Sequence, residues 1–376
     1  MNYKRRQGRA VRRAGKLAGA LLVTHLPDVR YLCGFTGSNA ALVLLGTKAL
    51  LFTDGRYTAQ AKAEVVGTKV TIATKAAEMA AVEWMGAAGV TRCGFDGSKT
   101  TVAALGRLQA GLSKAYGVKA RKAMFVDVGA LVAGLREVKD EDEIAVLRRA
   151  ALLGCGLFMH MLGFIEAGMT ESAVAAELEY RARLAGAEAM SFETIVASGE
   201  RSALPHGKAT MAKIPKRGFV TLDFGVVVDG YASDMTRTVH MGASRRATQG
   251  GPILGSVLGE RDVYDLVLEA QEAAVQAVRP GATAGDVDEA ARSVLRRARL
   301  DGYFSHSTGH GVGLEIHEGP RLAAKQTQRL EAGMVVTIEP GVYLPGSFGV
   351  RIEDMVLVTA AGGDVLTPSP KAWIEL

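Results

Sequence analysis

Four acidic residues interrupt apolar, strand-like runs in the C-terminal half of the chain. Asp223 stands in Val220-Thr221-Leu222-Asp223-Phe224-Gly225, and Asp234 in Tyr231-Ala232-Ser233-Asp234-Met235-Thr236-Arg237-Thr238. Glu339 stands in Thr337-Ile338-Glu339-Pro340-Gly341, and Glu353 in Arg351-Ile352-Glu353-Asp354-Met355-Val356-Leu357-Val358. An unpaired charge buried in such a run is costly, so something positive must meet each carboxylate, and a metal ion is the first candidate. The arrangement occurs twice, as if one carboxylate hairpin had been built in duplicate.

For the first pair the geometry is readable. Asp229-Gly230 is a strong type I′ turn signal between Val226-Val227-Val228 and the run from Tyr231 to Val239. With those two residues as the loop, Val228 faces Tyr231 and Asp223 faces Thr236. Asp234 then shares a face with Asp223 at a diagonal spacing of about 7–8 Å between Cα atoms, which two carboxylates can close around one ion. The second pair encloses a longer loop with Pro345, Gly346 and Gly349, and its register is not readable. Four carboxylates plus one imidazole carry too much negative charge for one divalent ion, whereas two ions about 3.5–4 Å apart would balance it. Oxygen-dominated ligation favours manganese, with cobalt or zinc as alternatives. Each acid alone is as well explained as a surface or salt-bridged strand residue; the four together are not.

These hairpins need elements to position them. Gly168-Met169-Thr170 followed by a helix to Leu184 resembles Gly281-Ala282-Thr283 followed by a helix to Leu300. After each helix comes a histidine-bearing segment, His206 in the first case and His306, His310 and His317 in the second, and then a carboxylate hairpin. Two half-sites are therefore expected to face each other. Gly309, Gly311 and Gly313 superficially suggest a phosphate loop, but an interleaved His and the following Leu314-Glu315-Ile316-His317 do not fit a strand-turn-helix dinucleotide site. Ahead of the duplicated region, short β-rich runs at Leu21–Val23, Ala41–Leu45, Ala49–Phe52, Val70–Ala73 and Cys93–Phe95 alternate with helical windows, a small α/β domain over residues 1–125. Asp127–Leu135 reads as a connecting helix within a linker at 126–139. Asp140 with Glu143 then opens a second domain, 140–376, with a capping-box-like helix start. Ser244–Arg261, Gly- and Arg-rich without clear period, reads as a surface loop.

The composition, 376 residues with 48% apolar and 22% charged, suits a globular chain of two or more domains. The net charge of +6 would hint at nucleic acid were it not concentrated at one end: residues 1–16 hold seven basic side chains and no acid, and the remainder is close to neutral. A solvated amphipathic first helix accounts for it, so no nucleic-acid partner is expected. No run of 18 apolar residues points to a membrane. Cys33, Cys93 and Cys155 are odd in number and widely spaced, which fits a reducing, cytoplasmic compartment.

The motifs resemble, in order along nearly the whole chain, those of the Xaa-Pro peptidases of the creatinase, aminopeptidase P and prolidase group. They are Leu204-Pro205-His206-Gly207, Asp223-Phe224-Gly225, Ser233-Asp234-Met235-Thr236-Arg237-Thr238, His306-Ser307-Thr308-Gly309-His310-Gly311-Val312-Gly313, His317-Glu318-Gly319-Pro320, Ile338-Glu339-Pro340-Gly341 and Arg351-Ile352-Glu353-Asp354. Upstream, Gly34-Phe35-Thr36-Gly37-Ser38-Asn39 and Phe52-Thr53-Asp54-Gly55-Arg56-Tyr57 look typical of the group's N-terminal domain. The resemblance implies an α+β chain, a pita-bread catalytic domain preceded by a smaller creatinase-type α/β domain, and a homodimer. It implies that Asp223, Asp234, His310, Glu339 and Glu353 ligate two divalent ions, with Asp234 and Glu353 bridging. Glu339 would handle the proton of the attacking water, His206 and His317 would contact substrate and stabilise an oxyanion, and Arg351 would orient the bridging carboxylates.

The expected reaction is hydrolysis of the bond preceding proline, in Xaa-Pro dipeptides rather than the longer peptides an aminopeptidase P takes. A dipeptidase needs a cation for the proline carboxylate, and Arg is suited to it. No Arg lies between Glu339 and Arg351, so Arg321, Arg56 or an N-terminal-domain Arg of a partner subunit is the candidate, and His306, on a loop or helical face shared with His310, is a candidate to support that ligand or contact substrate. Relatives that keep the fold as binding modules, or hydrolyse creatine-like compounds without metal, lack the full ligand set. Methionine aminopeptidase usually lacks an N-terminal domain of this size.

Overall fold

The computed structural model describes residues 1–15, 17–112, 117–242 and 258–376. The chain forms two compact units, Met1–Arg136 and Glu137–Leu376. Of the stretch read as a surface loop, residues 244–257 lie outside the described residues, and Glu260 already opens a helix.

In the first unit a six-stranded sheet runs in the order Lys69–Ala73, Lys48–Asp54, Ala41–Leu45, Ala20–Val23, Cys93–Phe95, Phe125–Asp127. Ala41–Leu45 is antiparallel to both its neighbours and the other pairings are parallel. The basic N-terminus is the helix Tyr3–Ala14, which buries Arg6, Gln7, Ala10 and Ala14 and leaves Lys4, Arg5, Arg12 and Arg13 exposed. One helix went unassigned from the sequence and one expected helix is cut short. Leu26–Cys33, begun by Pro27 in its first turn, is a helix that apolar periodicity did not reveal. The connecting helix expected over Asp127–Leu135 shrinks to Ala133–Arg136, because Phe125 and Val126 pair with Cys93 and Gly94, and Gly129 turns the chain at φ 63°.

The second unit is two copies of one plan. Each begins with a long helix, Glu141–Leu162 or Glu260–Ala277, followed by a shorter one, Glu171–Leu184 or Ala284–Arg297. Thr170 and Thr283 cap the shorter helices through their side-chain oxygens. The capping box expected at the start of Glu141–Leu162 is present: Asp140 accepts from the Glu143 N–H at 3.1 Å, and Glu143 accepts from the Asp140 N–H at 3.0 Å. By length and composition that helix would suffice to cross a membrane, but Leu147, Ala151, Leu157 and Phe158 pack in the core.

After the helices come the strands. In the first copy Ile195–Ser198 pairs with Gly218–Phe224, which pairs with Met235–Met241; in the second Gly309–Gly311 pairs with Val335–Ile338, which pairs with Asp354–Thr359. Each copy has its own core. Phe158, Leu178, Leu222 and Phe224 pack together in the first, and Val267, Val287, Ala291, Ile338 and Val356 in the second. The copies join along one seam: the Glu353 N–H donates to the Thr236 carbonyl at 3.1 Å, and Thr238 Oγ1 donates to the Arg351 carbonyl at 2.8 Å.

Candidate metal centre

The first hairpin follows the register expected from its turn. Val228 pairs with Tyr231 and Asp223 with Thr236, around Asp229 (φ 44°) and Gly230 (φ 74°), the left-handed pair a type I′ turn requires. In the second, Leu344 pairs with Phe348 across a three-residue loop, with Gly346 at φ 73°. The ladder continues to Gly341 with Arg351 and resumes at Ile338 with Asp354, so Glu339 and Glu353 stand directly across from each other.

At the seam the acids share one cavity of about 570 Å³. Asp234, His310 and Glu353 offer ligand atoms within 4.8 Å of one another. His310 Nε2 lies 3.6 Å from Asp234 Oδ2 and 3.5 Å from Glu339 Oε1. Asp223 adds a buried Oδ1 with no hydrogen-bond partner, while its Oδ2 accepts from Arg351 Nη2 at 2.6 Å. Burial, reinforced by the neighbouring carboxylates, pushes the Asp234 and Glu353 carboxyls well above the usual range. Burial likewise raises Glu339, to about 8, with Arg351 opposing and Asp223 adding to it. A cluster that resists its own ionisation, with an orphaned oxygen and a lone imidazole nitrogen turned to it, fits a divalent cation.

The imidazole tautomers are set by backbone carbonyls. His310 Nδ1 donates to the Gly311 carbonyl at 3.0 Å, which leaves the Nε2 lone pair for the cluster. Burial lowers the His310 pKa to about 4, so the ring is neutral at ordinary pH. His306 is also pushed down to about 4 by burial. Its Nδ1 donates to the Ser307 carbonyl at 2.9 Å and its Nε2 receives the Tyr343 hydroxyl at 2.8 Å. Both ring nitrogens are thus engaged within the protein, while the ring itself lines the cavity.

His206 and His317 are exposed at the cavity's edge, and the His317 ring packs edge-on against His310 with centroids 4.4 Å apart. Arg321 also lines the cavity and stands opposite His310 in the strand ladder. Arg56 belongs to the first unit, where Nε and Nη2 both bond to Asp54 at 2.9 Å. Three residues without an expected role complete the surroundings. Thr236 Oγ1 donates to Glu353 at 2.6 Å and receives Arg351 Nε at 3.1 Å. Thr337 Oγ1 receives the His310 N–H at 3.0 Å. Arg237, 1% exposed, donates to Asp354 at 2.7 Å, with Lys371 on the other Asp354 oxygen at 2.7 Å. Burial alone would raise Asp354, but Arg237 and Lys371 together hold it below the usual range. The signal in the sequence was Arg237 and Asp354 themselves, charges inside apolar strands with no metal role left for them.

Residues 145–360 match the model of metallopeptidase family M24, and residues 9–138 that of the creatinase/prolidase N-terminal domain. The chain is 40% identical to an Xaa-Pro dipeptidase of Pyrococcus furiosus over 66% of this chain and 68% of that protein. Among solved structures, an Xaa-Pro dipeptidase from Bacillus anthracis superposes with a TM-score of 0.91 at 36% identity, covering 100% of both chains. An X-Pro aminopeptidase from Thermotoga maritima superposes with a TM-score of 0.85 at 32% identity, over 97% of this chain and 100% of that one.

Proposed function

The chain belongs to metallopeptidase family M24, whose members use a divalent metal, and from that membership we propose that it is an Xaa-Pro dipeptidase that hydrolyses the bond preceding proline. Asp223, Asp234, His310, Glu339 and Glu353 would hold two ions, manganese before cobalt or zinc, in keeping with a donor set of four carboxylates and one imidazole. Ions bound there would polarise the scissile carbonyl and acidify the attacking water.

The chain's own residues supply the rest. Glu339, a carboxylate lining the cavity beside His310, takes a proton from the water and returns it to the departing proline nitrogen. His206 and His317, at the exposed edge of the cavity, donate to the carbonyl oxygen as charge gathers on it. Arg351 bonds Asp223, Thr236 and Tyr343 at once, and so holds the Asp223 carboxylate toward the cluster.

The observation that carries the dipeptidase reading is Arg321. It stands opposite His310 in the ladder and lines the cavity, and among the described residues it has no ion-pair partner, which suits the free carboxylate of a C-terminal proline. Proline-containing oligopeptides are the alternative substrates, supported by the likeness to an X-Pro aminopeptidase. Comparison of kcat/KM on Xaa-Pro dipeptides and Xaa-Pro-Yaa tripeptides decides between them: the dipeptide should win, Arg321→Met should abolish that preference, and a preference for tripeptides overturns it. Three buried, unpaired cysteines support a cytoplasmic location, and the family resemblance supports a homodimer, which sedimentation of the purified chain tests.

A further inference from the structure

Two buried carboxylates of the second unit lie outside the residues that line the acid cavity and hold the histidine-bearing segments. Asp288, 1% exposed, accepts the Thr308 N–H at 3.2 Å and the Thr308 hydroxyl at 2.8 Å on one oxygen, and Arg292 Nε at 2.8 Å on the other. The same guanidinium donates to the carbonyls of Phe304, at 3.0 Å, and His306, at 2.5 Å, and lies over the Phe304 ring. One turn of helix Ala284–Arg297 therefore grips the chain from 304 to 308. Thr308 in turn accepts the Glu339 N–H at 2.8 Å, and His310 follows two residues later.

The first copy repeats the device. Glu171, fully buried, accepts the Ser198 N–H and hydroxyl at 2.9 and 3.0 Å and the Thr210 N–H and hydroxyl at 3.1 and 2.8 Å. Arg201 closes it, with Nε 3.0 Å from Glu171 and Nη2 donating to the Lys208 carbonyl at 2.8 Å. This grip spans the loop that carries His206, and no member of the acid cluster lies within that loop.

We propose that these carboxylate–arginine pairs are positioning devices with divided duties: Asp288–Arg292 fixes the backbone that presents His310 and Glu339 to the metal, and Glu171–Arg201 fixes the loop that presents His206 to substrate. The division rests on the proposed roles of those three residues. Physically it follows from what each pair holds. A ligand delivered by a loop is only as well aimed as that loop's backbone, and loss of partners behind a ligand weakens metal affinity about tenfold to a hundredfold. A guanidinium spanning a carboxylate and two carbonyls has no ammonium equivalent, so lysine cannot replace it.

The test uses the full chain, stripped of metal and titrated calorimetrically with manganese alone, beside kcat and KM on an Xaa-Pro dipeptide and a thermal melt. Arg292→Met and the milder Thr308→Val should weaken manganese binding about tenfold to a hundredfold. Arg292→Lys should recover part of the melting temperature but not the affinity. Arg201→Met should leave manganese affinity unchanged while lowering kcat/KM by up to about a hundredfold. Manganese affinity unchanged in both Arg292→Met and Thr308→Val, or weakened as much by Arg201→Met, would reduce both pairs to fold supports and overturn the proposal. Absence of Xaa-Pro hydrolysis by the unmodified chain would sink the dipeptidase reading instead, and the manganese titration would still be readable.

Discussion

The two hairpins carry the same residue types and aim them differently. Val228 and Leu344, the last residues before each loop, lie equally far along the chain from Asp223 and Glu339. On the returning strand Asp234 comes two residues sooner after its turn than Glu353 does after its loop. The first pair is therefore diagonal and the second directly opposed. Each hairpin also lends an arginine to the other's acids: Arg351 reaches Asp223 on the cavity side, and Arg237 reaches Asp354 behind it. The exchange ties the halves together twice, once where a metal would share the carboxylates and once where only protein does. What differs is the penalty for cutting each tie.

The largest effect should come from the inner tie. Asp354 is fully buried and accepts from Arg237, Thr367, Gln271 and Lys371, so Asp354→Ala strands a buried guanidinium at a cost of about 3–5 kcal/mol in denaturant unfolding. A loss below about 1 kcal/mol would mean that the pair is solvated and the symmetry of the two ties illusory. The outer tie should cost function instead. Arg351→Met removes the donor to Asp223 and Thr236, and manganese affinity should fall about tenfold to a hundredfold. Were stability to fall as far as in Asp354→Ala with affinity intact, the two ties would be equivalent and the contrast would be lost.

Protonation gives a third measure of how the halves share charge. Glu339 has its folded pKa raised from 4.5 to about 8, so the folded state binds a proton that the unfolded state releases, and that contribution to stability is lost as pH rises through the interval. The buried histidines act oppositely. His306 and His310, lowered from 6.5 to about 4, destabilise the fold as pH drops below 6.5. Between pH 6.5 and 8 only the carboxylate effect remains, so chelated protein should lose stability there by on the order of 1 kcal/mol per pH unit. Saturating manganese should flatten or reverse that slope. A slope identical with and without manganese would show that the acids do not meet the ion.

Why one hairpin was legible and the other not follows from loop chemistry. Asp229-Gly230 names its turn type, and the turn fixes the register, so the position of Asp223 opposite Thr236 followed from residue identities alone. Pro345-Gly346-Ser347 permits several loops, and only the closed ladder shows which one formed. The duplication was visible because Thr170 and Thr283 cap equivalent helices. The contacts of Arg237, Asp288 and Glu171 were not, since, apart from the Asp288–Arg292 pair one helical turn apart, they join residues twenty or more positions apart or meet backbone groups that carry no sequence signature. The partner of His306 was equally hidden, since Tyr343, far along the chain, meets its Nε2.

The smallest effect tests the legible turn itself. Gly230 holds φ 74°, where an added Cβ is strained, so Gly230→Ala should cost about 1–2 kcal/mol. Gly346→Ala, at φ 73°, should cost a similar amount through the same strain. Their consequences for metal should diverge. A slip of the two-residue turn moves Asp234 off the face it shares with Asp223, whereas Glu339 and Glu353 are pinned beyond the other loop by Ile338 with Asp354 and by the seam at Thr236. Manganese affinity should therefore drop in Gly230→Ala and hold in Gly346→Ala. Equal affinities would show that the seam, not the turn, sets the register of the first hairpin as well.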